Sequence, residues 1–263
     1  MQDIVSSLGQ PWITSVLLLS ARIAALLLFT PVLYAAPMPA LARLLMGVGL
    51  ACVIAMPFAN ASQLSIHDPG ALVTALLGEA AIGATLGLGV LMAFAGFTFA
   101  GRVLDLQMGF GLAQVLDPVT RGRVPVLSSA FGALAAVFFF VVNGHHALLR
   151  GIAYSVERWP PGQGWRPEAA AQPLVQQMGT LFALGFGLAA PVVLMLLLVE
   201  FALGVISRNL PQMNMLVLGI PIKIVVGLLA LSVWAGGFAA PAERLYAQIY
   251  RTWTAWMAAG GSR

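Results

Sequence analysis

Residues 71–100 read ALVTALLGEAAIGATLGLGVLMAFAGFTFA, thirty positions that hold one charge, Glu79. A helix needs about 20 apolar residues to cross a hydrocarbon core, so this run exceeds one perpendicular crossing. Backbone N–H and C=O groups in lipid must be satisfied within the segment, and the run lacks the alternation of a barrel strand. Helix is the state that remains. Further apolar segments lie at about 12–36, 41–59, 126–149, 178–206 and 215–239. Across the 263 residues 60% are hydrophobic and 8% are charged, against the ~25% charged of soluble domains. Mean hydropathy is +0.93. These figures exclude a soluble domain and predict an all-α membrane protein of about six apolar helical segments, with one membrane domain over 1–263.

Several segments are irregular. Pro31, Pro37 and Pro39 bend or break the first before the second begins. Gly219-Ile220-Pro221, followed by Lys223, marks the start of the sixth as something other than a plain helix. Such breaks are tolerated where protein surrounds the backbone. Small residues four apart, Gly83 with Gly87, Ala183 with Gly187 and Gly185 with Ala189, let two helices approach closely, within this chain or against another subunit. With six crossings the cations divide evenly: Arg43, Arg102, Arg121, Arg123, Arg208 and Lys223 on one side, Arg150, Arg158, Arg166, Arg244, Arg251 and Arg263 on the other. The positive-inside rule normally gives a clear excess. The tie argues against a simple six-span bundle.

After the overlong segment comes 101–125, GRVLDLQMGFGLAQVLDPVTRGRVP. Arg102, Asp105, Asp117, Arg121 and Arg123 flank an apolar, glycine-rich tip, Met108-Gly109-Phe110-Gly111-Leu112. Connectors between spans are usually short and polar. An apolar tip between charged shoulders suits a segment that reaches into a protein-lined cavity. Methionine fills irregular gaps, and glycine lets a loop bend. A pore that passes unfolded chains must hold back ions when idle, and apolar constrictions do so by steric block and dewetting.

Arg22, Glu79, Glu200 and Lys223 stand inside apolar segments. Each costs a few kcal/mol or more against lipid, so each faces protein or water. Arg22 and Glu79 lie deepest and are candidates for ion pairs; Glu200, near a segment end, can snorkel. Two scattered carboxylates do not make a proton relay. His145-His146 are adjacent and diverge by about 100° on a helix, so they do not share a metal as an i, i+4 pair does. No nucleophile with a neighbouring base, no GxSxG, HExxH or Walker pattern is present, and neither a catalytic residue nor a cofactor site is expected. The net charge of +4 contains no basic run, which argues against nucleic acid as partner. Cys52 is alone in an apolar stretch and reads as a small core residue. The N-terminus MQDIVSSLGQ lacks a basic n-region and is expected to be retained. Trp159-Pro160-Pro161 and Trp165-Arg166-Pro167, in a connector over 150–177, fit an interfacial aromatic belt.

Taken in order, the pieces resemble a family. Arg22 with Thr30-Pro31-Val32; Pro39 and Arg43; Glu79 with Gly83 and Gly87; Asp105 to Gly111; Asp117-Pro118 with Pro125; Asn143-Gly144-His145-His146; Arg208 with Pro211-Gln212-Met213-Asn214; and Pro221-Ile222-Lys223-Ile224 follow the pattern of the FliR family over about 21–237. This is the R subunit of the flagellar type III export gate, with an injectisome counterpart, and GFGLAQVLDP and NGHH are closer to the flagellar branch. The resemblance implies a non-enzymatic subunit at the flagellar basal body in the bacterial inner membrane. Its helices, some in partial hairpins, would pack in a helical cone with P and Q subunits (FliP, FliQ) beside the export switch protein FlhB. Unfolded flagellar substrates would pass through the central channel, with lipid around part of the assembly. It further implies that Met108, Gly109, Phe110, Gly111 and Leu112 plug the channel, and that Arg22, Glu79, Arg102, Asp105, Asp117, Glu200, Arg208 and Lys223 are buried or hold subunits together. The rival reading is a self-contained small-solute transporter using Glu79 or Glu200. Such transporters often carry paired halves with matching breaks, and no convincing repeat is present.

Overall fold

A computed structural model describes residues 2–31, 39–58, 68–110, 125–162, 167–209 and 215–259. The α-helices among them are α1 Gln2–Leu28, α2 Ala40–Ala55, α3 Pro69–Met108, α4 Val126–Val141, α5 Gly144–Arg158, α6 Pro167–Asn209, α7 Met215–Trp234 and α8 Ala239–Ala259, with 3₁₀ turns at Met56–Phe58 and Ala235–Gly237. The all-α class expected from composition is what forms. Among the described residues four helices are long and apolar enough to cross a membrane, and α4 with α5 would make a fifth as a broken span.

Local chemistry sets the ends. α1 stops at Leu28, short of Pro31, because the residue before a proline is pushed out of helical geometry. Phe29 and Thr30 close the last turn with tightened bonds to the carbonyls of Leu26 and Leu27. α3 runs 40 residues, about 60 Å of rise, roughly twice a hydrocarbon core. Its buried positions, Glu79, Ile82, Leu86, Val90, Ala93, Phe97, Ala100, Leu104 and Met108, recur every three or four residues along one stripe.

Four expectations are corrected. The segment 126–149 is two helices. α4 ends at Val141, and Asn143 adopts a left-handed conformation (φ 54°) before α5 begins. The connector 150–177 shrinks to 159–166, since α5 continues to Arg158 and Pro167 opens α6, where a missing N–H costs nothing. α7 passes through Gly219-Ile220-Pro221. Pro221 removes one bond close to an end whose first N–H groups are orphans anyway. α8, absent from the apolar segments, is a full helix with Ala242, Leu245, Tyr246, Ile249, Trp253, Trp256 and Met257 buried.

The described residues fall into two compact units. The first takes its described residues from Met1–Met92, Asn143–Gln177 and Gln248–Arg263, the second from Ala93–Val142 and Met178–Ala247. In the first unit α1 and α3 cross at glycine: a Cβ on Gly83 would lie 1.9 Å from the Arg22 carbonyl oxygen, and one on Gly87 2.7 Å from Phe29 Cβ. Trp253 donates its indole N–H to Leu86 O, and its ring fills the space left by Gly151. In the second unit Phe94, Phe97, Phe131, Phe139, Phe238 and Tyr246 form an aromatic core with centroids 5.4–6.2 Å apart, edge-on and tilted as ring quadrupoles prefer. Gly185 sits against the Gly96 carbonyl, while Gly187 meets nothing within 4 Å. Of the small-residue positions, Gly83, Gly87 and Gly185 therefore serve packing within the chain.

Candidate functional site

Two charged sites are built from the segments that the sequence singles out, one in each unit.

In the first unit Arg22 lies on the buried stripe of α1 with Leu18, Leu19 and Leu26. A guanidinium there must be saturated. Its Nε donates to Glu79 Oε2 at 2.6 Å, Nη1 to Ser155 Oγ at 3.1 Å and Nη2 to Trp159 O at 2.9 Å. The other oxygen of Glu79 accepts from the backbone N–H of Gly162 at 2.9 Å. Gly162 holds φ 91°, a conformation open to glycine, and this turn aims its N–H at the carboxylate. Both ions are fully buried, and every arm of the pair is engaged. The node joins α1, α3, α5 and the turn that follows. The expectation that Arg22 and Glu79 form ion pairs is met by each other within one chain, so neither needs a charge on a neighbouring subunit. With both oxygens of Glu79 occupied, the transporter reading loses its deeper carboxylate.

In the second unit the end of α3 is fixed on two sides. Asp105, 2% exposed, accepts from Leu127 N–H at 3.0 Å and from Ser128 N–H and Oγ–H at 2.9 Å each. Met108, fully buried, occupies the space a side chain on Gly227 of α7 would need. Gly109 then turns the chain with φ 87°, and Phe110 is half-buried. The loop expected over 101–125 therefore begins at Gly109, since Gly101 to Met108, with Arg102 and Asp105, are helical. Arg102 and Arg208 are exposed, the latter in the last turn of α6, where a cation suits the helix dipole. Lys223 Nζ donates to Glu200 Oε1 at 2.8 Å. This half-exposed pair borders a cleft of about 250 Å³ lined by Leu106, Gln107, Gly109, Leu203 and Gly219 among others. Gly111, Leu112, Asp117, Arg121, Arg123, Trp165, Arg166 and 211–214 lie outside the described residues.

The sequence reading missed Ser155, the Trp159 carbonyl and the Gly162 N–H at the first site, and Gly227 at the second. Only the Pro-Pro-Gly turn at 160–162 carries a local signal. It also missed the tyrosines of α8: Tyr246 Oη donates to Ala135 O in the second unit and Tyr250 Oη to Gly144 O in the first. Burial pushes the Tyr250 phenol up to about 12 and that of Tyr246 further, so both remain neutral donors. His145 and His146 have ring centroids 4.2 Å apart.

The model of the family "Bacterial export proteins, family 1" matches residues 13–249. The chain is 34% identical to flagellar biosynthetic protein FliR of Bacillus subtilis (strain 168), over 82% of this chain and 84% of that one. It is 29% identical to flagellar biosynthetic protein FliR of Escherichia coli (strain K12), over 87% of each. Likeness extends to Yop proteins translocation protein T of Yersinia pestis, at 27% over 75% of this chain and 79% of that one.

Proposed function

The chain belongs to family 1 of the bacterial export proteins, and from that membership we propose that it is the R-type subunit of a flagellar type III protein export gate. The family is one of export-apparatus proteins, and the chain is a membrane protein that works among other export components. The finer reading is that it assembles with P and Q subunits (FliP, FliQ) beside FlhB at the flagellar basal body in the inner membrane. There it completes a channel for unfolded flagellar proteins, without catalysis of its own. The matched relatives are named for flagellar biosynthesis and for protein translocation, which supports this assignment.

The observation that carries the mechanism is the end of α3. A buried methionine and a capped helix give a firm base, from which the apolar, glycine-rich stretch 109–112 continues. A closure must be deformable at its tip and fixed at its root; otherwise it either fails to seal or drifts open. In this reading 109–112 closes the channel to ions at rest, and the moving polypeptide displaces it. Arg22 and Glu79 keep the first unit intact, and Glu200 and Lys223 present charge to neighbouring subunits. The test is deletion of 109–112, which spares Met108, in cells that express the chain with the P and Q subunits. Assembly is expected to persist while ion entry rises. A deletion strain with normal ion tightness and normal motility refutes the closure.

A further inference from the structure

We propose that the cleft beside Glu200 and Lys223, in the second unit, is a phospholipid site. It takes a phosphoethanolamine headgroup against the ion pair, and the acyl chains lie on the apolar face of α6. The site goes beyond the export reading and stands whether or not 109–112 closes a channel.

The cleft of about 250 Å³ is lined by the last turn of α3, the end of α6 and the start of α7. Its polar groups are only partly used. Lys223 Nζ makes one bond, to Glu200 Oε1 at 2.8 Å, and an ammonium carries three donors. Glu200 is 54% exposed against 20% for Lys223, and among the described residues its Oε2 accepts no hydrogen bond. The Gln107 amide, on the wall of the same cleft, likewise has no partner among them.

Such a pair selects for a zwitterion. An anion by itself is drawn by Lys223 and repelled by Glu200, and a cation by itself meets the reverse. A headgroup laid antiparallel to the pair satisfies both through charge-assisted bonds. Its phosphate accepts from Lys223, and its ammonium donates to Glu200 Oε2 and to the Gln107 amide oxygen. A primary ammonium has three N–H donors for these acceptors, whereas the quaternary nitrogen of choline has none. Ethanolamine is therefore favoured over choline.

A second observation makes the ligand a lipid. Phe201, on the turn of Glu200, is 75% exposed, and Leu106 of α3, on the cleft wall, is 71% exposed. Leu194, Leu197 and Leu198 extend the exposed apolar surface of α6 at helical spacing. A free headgroup leaves this rim uncovered, and an acyl chain covers it. Charged pockets between membrane helices hold lipid headgroups in this way.

The test uses the full chain purified in detergent with its co-expressed P and Q subunits. Phosphatidylethanolamine, phosphatidylcholine or phosphatidylglycerol with matched chains is added, and the lipid retained on the intact complex is counted by native mass spectrometry. Lipid on the P and Q subunits is common to wild type and variants and drops out of their difference. Wild type is expected to take up the ethanolamine lipid at about tenfold lower concentration than the choline lipid, as one charge-assisted hydrogen bond gives. Glu200→Gln removes the anionic acceptor and leaves Lys223 uncompensated. The preference for ethanolamine should vanish and uptake of phosphatidylglycerol should rise, a reversal that a merely structural role of Glu200 does not produce. Gln107→Leu keeps the ion pair and should weaken the ethanolamine preference by a smaller factor; it replaces Glu200→Gln if that variant fails to assemble. Equal uptake of the ethanolamine and choline lipids by wild type, or an unchanged preference in the variant, refutes the site. If free phosphoethanolamine displaces the lipid as well as added phosphatidylethanolamine does, the acyl chains contribute nothing and the ligand is not a lipid. If Glu200→Gln releases a neighbouring subunit and no lipid, a side chain of that subunit fills the cleft, and the lipid site is overturned.

Discussion

Glu79→Ala is the sharpest test of the node in the first unit. The substitution removes the acceptor of Arg22 Nε and the acceptor of the Gly162 N–H in one step. Arg22 keeps Ser155 Oγ and Trp159 O, but its charge then has no counter-ion at 1% exposure. Breaking a buried pair from one side costs about 3–5 kcal/mol. A stranded N–H costs about 1–3 kcal/mol, and the two losses overlap because they share one carboxylate. A total near 4 kcal/mol is a large part of the ~5–15 kcal/mol that holds a typical protein folded. Arg22→Met with Glu79→Met removes both charges, and replacing a buried pair by apolar groups is about neutral or stabilising. The single variant should therefore be worse than the double, a sign that no simple count of lost contacts predicts. Glu79→Gln falls between, since one amide oxygen must serve two donors. The assay is thermal melting in detergent, with abundance in membranes beside it. At roughly 2–4 °C per kcal/mol, Glu79→Ala is expected to melt about 8–16 °C below wild type. A single variant within about 2 °C of wild type, or a double variant as unstable as the single, refutes the argument.

Two further outcomes follow from the packing. Gly83→Ala drives a methyl into the Arg22 carbonyl and should lower melting by more than the ~1–3 kcal/mol of ordinary overpacking, whereas Gly187→Ala meets open space and should gain about 0.5–1 kcal/mol of helix propensity; equal melting of the two variants contradicts the crossing of α1 and α3. Single cysteines at Val225, Leu229 and Val233 of α7, exposed by 57%, 61% and 85%, in a Cys52→Ala background should crosslink to neighbouring export components more than to lipid-borne probes, and strong acyl-chain labelling at all three positions refutes this expectation.

The segments that became helices were legible because lipid and protein interiors impose one local rule, satisfaction of the backbone within the segment. An apolar run is enough to apply it, and α3 and α7 follow it closely. The same screen overlooked α8, since Glu243, Arg244 and Arg251 interrupt its apolar run. Its signal is periodic: the buried positions 242, 245, 246, 249, 253, 256 and 257 fall at helical spacing, and a search by period would have found it. The break at Asn143 escaped for a related reason, as a single residue with positive φ leaves the composition of a segment unchanged.

That Arg22 and Glu79 could not stay unpaired was already determined by sequence, because an isolated ion in an apolar helix is too costly. Which group answers each charge was decided only by tertiary structure. Glu79 lies 57 residues from Arg22, and Ser155 lies 133; Asp105, read as a loop shoulder, caps a helix 22 residues on. Composition and periodicity are local properties, summed over neighbours along the chain. An ion pair or a borrowed cap depends on where two helices cross, and that is set by the contact of glycines such as Gly83 and Gly101 with a facing backbone.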